Sequence, residues 1–444
     1  MTEMDIQKLY SLFKECSRVT TDSRTVEGGE LFFALKGENF DGNEYALKAL
    51  EQGARYAVVD GGTPVASSGD PRLFVVPETL SALQALARCH RENTFVDGRR
   101  LTVIGLTGTN GKTTTKELVT RVLSAKYNVT ATKGNLNNDI GVPLSILEIG
   151  ADTQLAVIEM GASHPEDIAV LVEVCEPDYG LVTNVGKAHL LGFGSFEGVK
   201  MAKGRLYDYI ASHGGNIFLN VDDPDLTAMA EGRGLLSTAI PYGIRFSGSE
   251  VLPSSAGHPF LRLKLSDGRV LETHLAGAYN ATNVLAAIAV GQHFGVTLEE
   301  AAEAVSSYVP TNNRSQMEDT GRNILIKDAY NANPTSMAAA LDNLALVEAP
   351  RKVALLGDMR ELGEDSVAEH VKVVGNVSSM GLDLVCLVGE EFGKALSKED
   401  VTGVKWFQTS DDLASWLADN HLEGATVLVK GSRGIRMEKV MPAL

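Results

Sequence analysis

Residues 101–123 read LTVIGLTGTNGKTTTKELVTRVL. The near-continuous apolar run Leu101–Leu106 suits a strand buried on both faces of a parallel sheet. A glycine-containing turn follows, then Gly111-Lys112-Thr113 and a run of helix-forming residues. The strict phosphate-loop pattern GxxxxGK[ST] needs a glycine five residues before Gly111, where Leu106 stands; the glycine here is Gly108. The context is nevertheless that of a phosphate loop. Backbone N–H groups at such a helix start hold β- and γ-phosphates, Lys112 offsets their charge, and the Thr113 hydroxyl binds Mg2+. A threonine-capped helix with a surface lysine is the plainer alternative, but it leaves the coincidence of strand, turn, GKT and helix unexplained. Nucleotide binding is expected.

Outward from this stretch the chain alternates strand and helix. Before it stand the β-like runs GELFFALKG, ARYAVVDG and RLFVVP, and after it NVTATKG, LAVIEMGA, YGLVTNVG and NIFLNVDD. A third series comprises NILIKDAYN, RKVALLGDM, DLVCLVGEE, VKWFQ and ATVLVKGSRG. This is βαβ alternation, which predicts α/β domains built on mostly parallel sheets. One interruption, LRLKLSDGRVLETHL, reads as an antiparallel hairpin with a type I′ turn at Asp267-Gly268. The 444 residues allow about three domains at ~150 residues each, and we divide them at residues 1–98, 99–309 and 310–444.

The chain has 44% hydrophobic residues and a net charge of −17, which would repel a nucleic-acid backbone. No apolar run reaches the ~18 residues of a membrane span, and the acidic start lacks the pattern of a signal peptide. A cytoplasmic protein that neither binds nucleic acid nor inserts in a membrane is expected. Cys16, Cys89, Cys175 and Cys386 form no CxxC pair and read as small hydrophobes.

The unusual polar residues follow directly after strands, where open parallel sheets bind ligands. Glu159 ends LAVIE, well placed to hold Mg2+ but equally readable as a surface carboxylate. Asn137 and Asn138 lie in KGNLNNDIGVP, a stretch that fits either a structured turn or polar recognition. On its residue type alone His189 is more often structural than a ligand, and Lys203, on a helix, reads as a solvated lysine. Asn280 and Asn283, one helical turn apart, could face a purine. Arg314 is a rigid fork suited to phosphate, and Asp328 at a strand end could accept from ribose hydroxyls.

Taken together, TGTNGKTTTKE, GNLNNDIGVPL, EMGASH, TNVGKAHLLGFGS, AKG, NVDD, GAYNATN, NRSQ, DAYNANPTSM, LGDMRELG and KGSRG resemble, in this order and over nearly the whole chain, the Mur ligases of peptidoglycan synthesis. The resemblance implies a central P-loop-type, mostly parallel sheet flanked by a small N-terminal α/β domain and a C-terminal Rossmann-like domain. DAYNANPTSM and LGDMRELG look like the member that adds D-Ala-D-Ala to UDP-N-acetylmuramoyl-tripeptide, with a monomer expected. The member adding a diamino acid resembles the first block, including Asp22 to Arg24, yet its Asp-Asn-Pro-Arg motif is missing here. A switch that binds ATP without turnover, and a folate ligase, are the remaining alternatives. The first has no use for His189, Lys203 and Asp328 together; the second begins near the phosphate loop, which here lies about a hundred residues in. Some relatives carry a fused alanine racemase, for which this chain ends too early.

Carried over residue by residue, the resemblance implies a phosphate loop at Gly108, Thr109, Asn110, Gly111, Lys112, Thr113 and Thr114. It implies metal ligands at Thr113, Glu159, His189 and Lys203, with two Mg2+ ions and Lys203 carbamylated. Lys112, His189 and Lys203 would act in catalysis. ATP contacts are implied for Asn280, Arg314 and Asp328, the last two from a mobile C-terminal domain. The substrates would meet Ser23, Arg24, Lys36, Gly37, Asn137, Asn138, Asn331, Asn333 and Asp358. Arg205 stands where the family often has an acidic residue, and Pro165-Glu166-Asp167-Ile168 replaces a frequent Gly-Glu-Ile.

Overall fold

The computed structural model describes residues 1–254, 258–399 and 401–444. The strand Thr102–Thr107 lies inside a six-stranded, all-parallel sheet whose spatial order is Ile240–Tyr242, Asn216–Asn220, Tyr179–Val182, Thr102–Thr107, Leu155–Glu159, Val129–Ala131. Val103, Ile104 and Leu106 have no exposed surface. That burial on both faces explains why the run is apolar without alternation. Truncating Leu106 to alanine would cost about 2–5 kcal/mol.

From Thr102–Thr107 the chain first builds the sheet toward Val129–Ala131, then crosses back to Tyr179–Val182 on the other side. The two adjacent strands Thr102–Thr107 and Tyr179–Val182 therefore flank the point where the strand order reverses, and their carboxyl ends open onto one crevice. The helices Lys112–Leu123 and Ala281–His293 pack together on one face, sharing a core of Leu118, Val119, Val122, Val284 and Ile288.

The N-terminal block is a four-stranded parallel sheet, Val19–Thr20, Leu31–Phe33, Tyr56–Asp60, Leu73–Val76. Its helix Thr79–Glu92 packs on the central helices Gly141–Leu147 and Asp167–Cys175. Fully buried Arg91 fastens this junction, donating to Cys175 O and Glu176 O, each at 3.1 Å, and to Asp178 Oδ2 at 2.8 Å.

The third block holds a six-stranded sheet ordered Gln316–Asp319, Ile324–Asp328, Thr426–Lys430, Lys352–Gly357, Leu384–Val388, Val404–Phe407. Only the first pair is antiparallel. That edge strand, polar and short, carries no strand signal in the sequence.

The hairpin differs from the expected type I′ form. Such a turn needs two left-handed central residues, but Asp267 is not left-handed and only Gly268 is, at φ 87°. Gly268 N donates to Leu265 O at 2.9 Å and Leu265 N to Arg269 O at 2.8 Å, so the loop spans three residues, Ser266 to Gly268, with the left-handed glycine last. The hairpin also pairs with Glu250–Leu252 to make a three-stranded sheet.

Candidate active site

Gly108 and Gly111 shape the loop between the strand Thr102–Thr107 and the helix Lys112–Leu123. Gly108 has φ 146°, and a Cβ there would strike the Thr183 hydroxyl. Gly111, at φ 78°, is the helix N-cap, and a Cβ there would lie 2.7 Å from Asn283 Oδ1. The loop is stitched to its neighbour after Tyr179–Val182. Thr183 Oγ1 donates to Asn110 O at 2.6 Å, Asn184 Oδ1 accepts from Asn110 N at 3.0 Å, and Gly186 N donates to Thr109 Oγ1 at 3.0 Å. Lys112 folds back over the loop, its Nζ 2.7 Å from Gly108 O and 3.1 Å from Thr109 O. Thr114 is buried in the first helical turn. This is an anion-binding cradle with its lysine held where phosphate would sit.

Glu159 lies beneath the cradle, 1% exposed. Its Oε1 accepts from Thr113 Oγ1 at 3.2 Å and from Asn137 Nδ2 at 2.8 Å, while Oε2 is buried with no hydrogen-bond partner. An orphaned carboxylate oxygen beside a hydroxyl fits a hard cation. Among the described residues no three His, Cys, Asp or Glu side chains form a ready metal cage. The set suits Mg2+, which is usually held by one or two carboxylates together with substrate phosphates.

Lys112, His189 and Lys203 form a basic cluster. Burial lowers Lys112 to about 8, with Glu159 opposing the fall and Arg314 adding to it. Burial and the nearby Lys112 charge push Lys203 well below the usual lysine range, against the pull of Asp167. Lys203 is 2% exposed, with its Nζ 5.7 Å from the centre of the Phe193 ring, and no carboxylate pairs with it among the described residues. The reading of Lys203 as a solvated lysine is thus overturned. It sits on the inner face of the helix Phe196–His213, beside Phe193 and Val199. His189 adopts a left-handed backbone at φ 50°, and its Nδ1 lies against the Glu361 carboxylate without hydrogen-bond direction. Burial holds its imidazole below the ordinary range, opposed by Glu361 and aided by Lys112 and Lys203.

The third block closes over this cluster. Asn333 caps the helix Pro334–Leu346 and donates from Nδ2 to Asn110 Oδ1 at 2.8 Å. The guanidinium of Arg314 stacks 3.7 Å from the centre of the Tyr330 ring. Asp328 pairs with buried Lys430, which also donates to Asn331 O at 3.2 Å. Asp358 is a correction. Both of its oxygens accept backbone N–H bonds, from Glu391 at 3.0 Å and Phe392 at 2.9 Å, so it anchors the helix Glu390–Leu396 instead of facing a substrate. Glu361, to which the sequence reading gave no role, reaches the cluster; its signal was a polar run directly after a strand.

Other expected residues lie further out or inward. Asn280 is 1% exposed, donating to Ala276 O at 2.8 Å and accepting from Asn283 at 2.9 Å. Asn283 in turn accepts from Thr115 Oγ1 at 3.1 Å, so the pair braces the helix beneath the cradle. Asn138 is exposed and accepts from Gly141 N at 2.9 Å, the plain turn role. Ser23, Arg24, Lys36 and Gly37 sit in the N-terminal block, with Arg24 pinned to Asp22 at 2.7 Å and exposed Phe40 beside Gly37. A hollow of about 490 Å³ lined by Lys116, Thr120, Thr132, Lys133 and Glu148 contains none of the cluster residues. The chemistry instead faces the open crevice between blocks.

Comparisons with known proteins agree with this layout. The chain matches the Mur ligase middle domain over residues 106–291, the glutamate ligase domain of Mur ligases over 313–433 and the Mur ligase family catalytic domain over 15–92. It is 33% identical to the UDP-N-acetylmuramoyl-tripeptide–D-alanyl-D-alanine ligase of Bacillus subtilis, over 96% of this chain and 92% of that protein. A crystal structure of MurF from Acinetobacter baumannii superposes with a TM-score of 0.85 at 30% identity, covering 99% and 98% of the two chains. The MurF ligase of Thermotoga maritima in complex with ADP gives a TM-score of 0.83 at 26% identity, covering 100% and 98%.

Proposed function

The chain belongs to the Mur ligase family, and on that premise we infer that it is an ATP-dependent amide ligase joining D-Ala-D-Ala to UDP-N-acetylmuramoyl-tripeptide in peptidoglycan precursor synthesis. A carboxylate is a poor acyl donor because its leaving group would be oxide. Transfer of the γ-phosphoryl group forms an O–P bond at the peptide's terminal carboxylate, breaks the bond to the β-phosphate bridge, and releases ADP. The amino group of D-Ala-D-Ala, having lost its ammonium proton to solvent, then attacks the acyl carbon as the free amine. A C–N bond forms, the C–O bond to phosphate breaks, and the departing phosphate takes the electron pair and a proton from nitrogen.

The chain's own groups serve these steps by position and charge. N–H groups at the start of the helix Lys112–Leu123 and the Lys112 ammonium hold the β- and γ-phosphates. Glu159 and Thr113 would hold Mg2+, with His189 and Lys203 as further ligands of a two-ion site. When bound, Mg2+ offsets charge on the phosphoryl group in flight. Lys203 is read as a carbamate. Burial lowers its pKa and so favours the neutral amine, which can add CO2 with loss of one proton and become an anion. Arg314 and Asp328 would contact ATP, and Asn331 and Asn333 the substrates. Ser23, Arg24, Lys36 and Gly37 would meet the UDP end, and Asn137 and Asn138 the muramoyl peptide. No helix of the described residues is long and apolar enough to cross a membrane, and we place the enzyme in the cytoplasm, as a monomer.

The observation that carries this reading is the meeting of separate lobes at one cradle, through Asn333 on Asn110 and Glu361 on His189. The test is acceptor choice. Purified protein given ATP, Mg2+ and UDP-N-acetylmuramoyl-tripeptide should yield the pentapeptide mass with D-Ala-D-Ala. Product formed only from the dipeptide precursor and a free diamino acid would reassign the chain to the sister activity.

A further inference from the structure

The loop after the strand Lys352–Gly357 places Glu361 in the left-handed region, at φ 64°. A non-glycine residue held there marks a backbone that its surroundings over-determine. Those surroundings are visible. Asp358 is fixed by two helix N–H groups, Met359 N donates to His370 Nε2 at 3.0 Å, and Arg360 N donates to Ser432 Oγ at 2.9 Å. His370 is itself fully buried and bonded through Nδ1 to Ser366 O at 2.7 Å. The loop is therefore presented to the crevice by a rigid base. Across the crevice Glu361 O accepts from Leu191 N at 3.2 Å, and the carboxylate rests against His189.

Three carboxylates lie near Lys112, His189 and Lys203. Glu159 is buried and bonded to Thr113 and Asn137. Asp167 accepts from Ser163 N at 2.8 Å and His164 N at 2.9 Å. Glu361 alone of the three has a half-exposed side chain, at 57%, and no partner within its own block among the described residues. The reaction needs such a group. The amino component arrives as an ammonium in a crevice lined by Lys112 and Arg314, and like charges there oppose its approach.

We propose that Glu361 binds the amino component: its carboxylate accepts hydrogen bonds from the amino group of the incoming dipeptide and holds that nitrogen toward the acyl carbon. The proposal rests on the ligase reading above. Because Glu361 belongs to the third block and the acyl-phosphate cradle to the central one, the amine's seat is complete only when the two meet at Leu191. The carboxylate exchanges its present contact with His189 for the amine once the substrates are in place.

The experiment uses the full chain and the variants Glu361→Gln and Glu361→Asp. Steady-state kinetics are run with D-Ala-D-Ala varied. In parallel, acyl-phosphate formation is read without dipeptide, by trapping with hydroxylamine as the hydroxamate. Glu361→Gln should raise the dipeptide KM roughly 10- to 100-fold, the size of a lost charge-assisted hydrogen bond, while the KM for ATP and the hydroxamate rate stay within about twofold. Glu361→Asp should recover part of the loss. An unchanged dipeptide KM overturns the proposal, as does a hydroxamate rate that falls in step with turnover, which would assign Glu361 to the phosphoryl-transfer half. Wild-type protein that forms the hydroxamate yet ignores D-Ala-D-Ala would instead overturn the ligase reading, and this proposal with it.

Discussion

Asn333 Nδ2 donates to Asn110 Oδ1 at 2.8 Å, so the N-cap of a helix in the third block is tied to the phosphate cradle of the central one. The same side chain accepts from Ser336 N at 2.9 Å. Its two functions can be separated. Asn333→Ser keeps a good cap but is too short to reach Asn110. The expected result is an unchanged melting temperature and a loss of about 1 kcal/mol from the closed arrangement, read as about a fivefold fall in turnover at low ATP.

Gly111→Ala tests the cradle itself. Its φ of 78° and a Cβ contact of 2.7 Å with Asn283 Oδ1 combine backbone strain with a clash. Left-handed backbone alone costs about 1–2 kcal/mol for a residue with a Cβ. Gly134→Ala is the control, since its φ is 54° but nothing lies within 4 Å of the added carbon. Denaturant titration should show both variants destabilised, Gly111→Ala more so, and ADP titration should show affinity lost in Gly111→Ala alone.

Lys112 gives a pH signature. With its amine held at about 8 in the ligand-free protein, the ammonium dominates below pH 8 and the neutral amine above it. Affinity for metal-free ADP should therefore fall as pH rises from 7 to 9, approaching tenfold per unit above 8. Lys112→Met should bind weakly and without that slope. Calorimetric titration at several pH values reads both.

Lys203→Met replaces a buried, unpaired amine with a side chain of similar length. Lys203 pairs with no carboxylate among the described residues, so the change breaks no ion pair and stability should hold or rise. Phosphate release should vanish while ADP binding stays within a few-fold. Full amide synthesis by this variant would remove Lys203 from the mechanism.

The cradle was legible because it is local: strand, Gly108, Gly111 and Lys112 lie within a dozen residues, and each constrains the next. The alternation likewise revealed three parallel-sheet blocks. What failed to show was whatever depends on distant packing. Lys203 looks like any helical lysine until Phe193 and Val199 close over it. Asp358 stands at a strand end as a substrate carboxylate would, yet the N–H groups that claim it lie 33 and 34 residues later. Asn280 and Asn283 have a spacing that could face a purine, and it takes the packed helix to show their amides bracing it beneath the cradle. Glu361 matters only because a loop of another block places it beside His189.

His90 offers a test of the junction between the first two blocks. Its Nε2 donates to Ile149 O at 2.9 Å, and burial holds its pKa below 6.5. The neutral form is the native one, so the unfolded chain binds more protons as pH drops. Stability should be complete above pH 6.5 and decline below it. His90→Gln, which can donate to the same carbonyl but does not titrate, should flatten that part of the profile in urea unfolding.

The most direct measurement follows inorganic phosphate from the purified protein with ATP and Mg2+, given UDP-N-acetylmuramoyl-tripeptide and D-Ala-D-Ala together and each alone. Sustained release only with both substrates, matched mole for mole by pentapeptide product, is the expected result. Release at the same rate without the dipeptide, or none with both, would contradict the convergence of three blocks on one acyl-phosphate site.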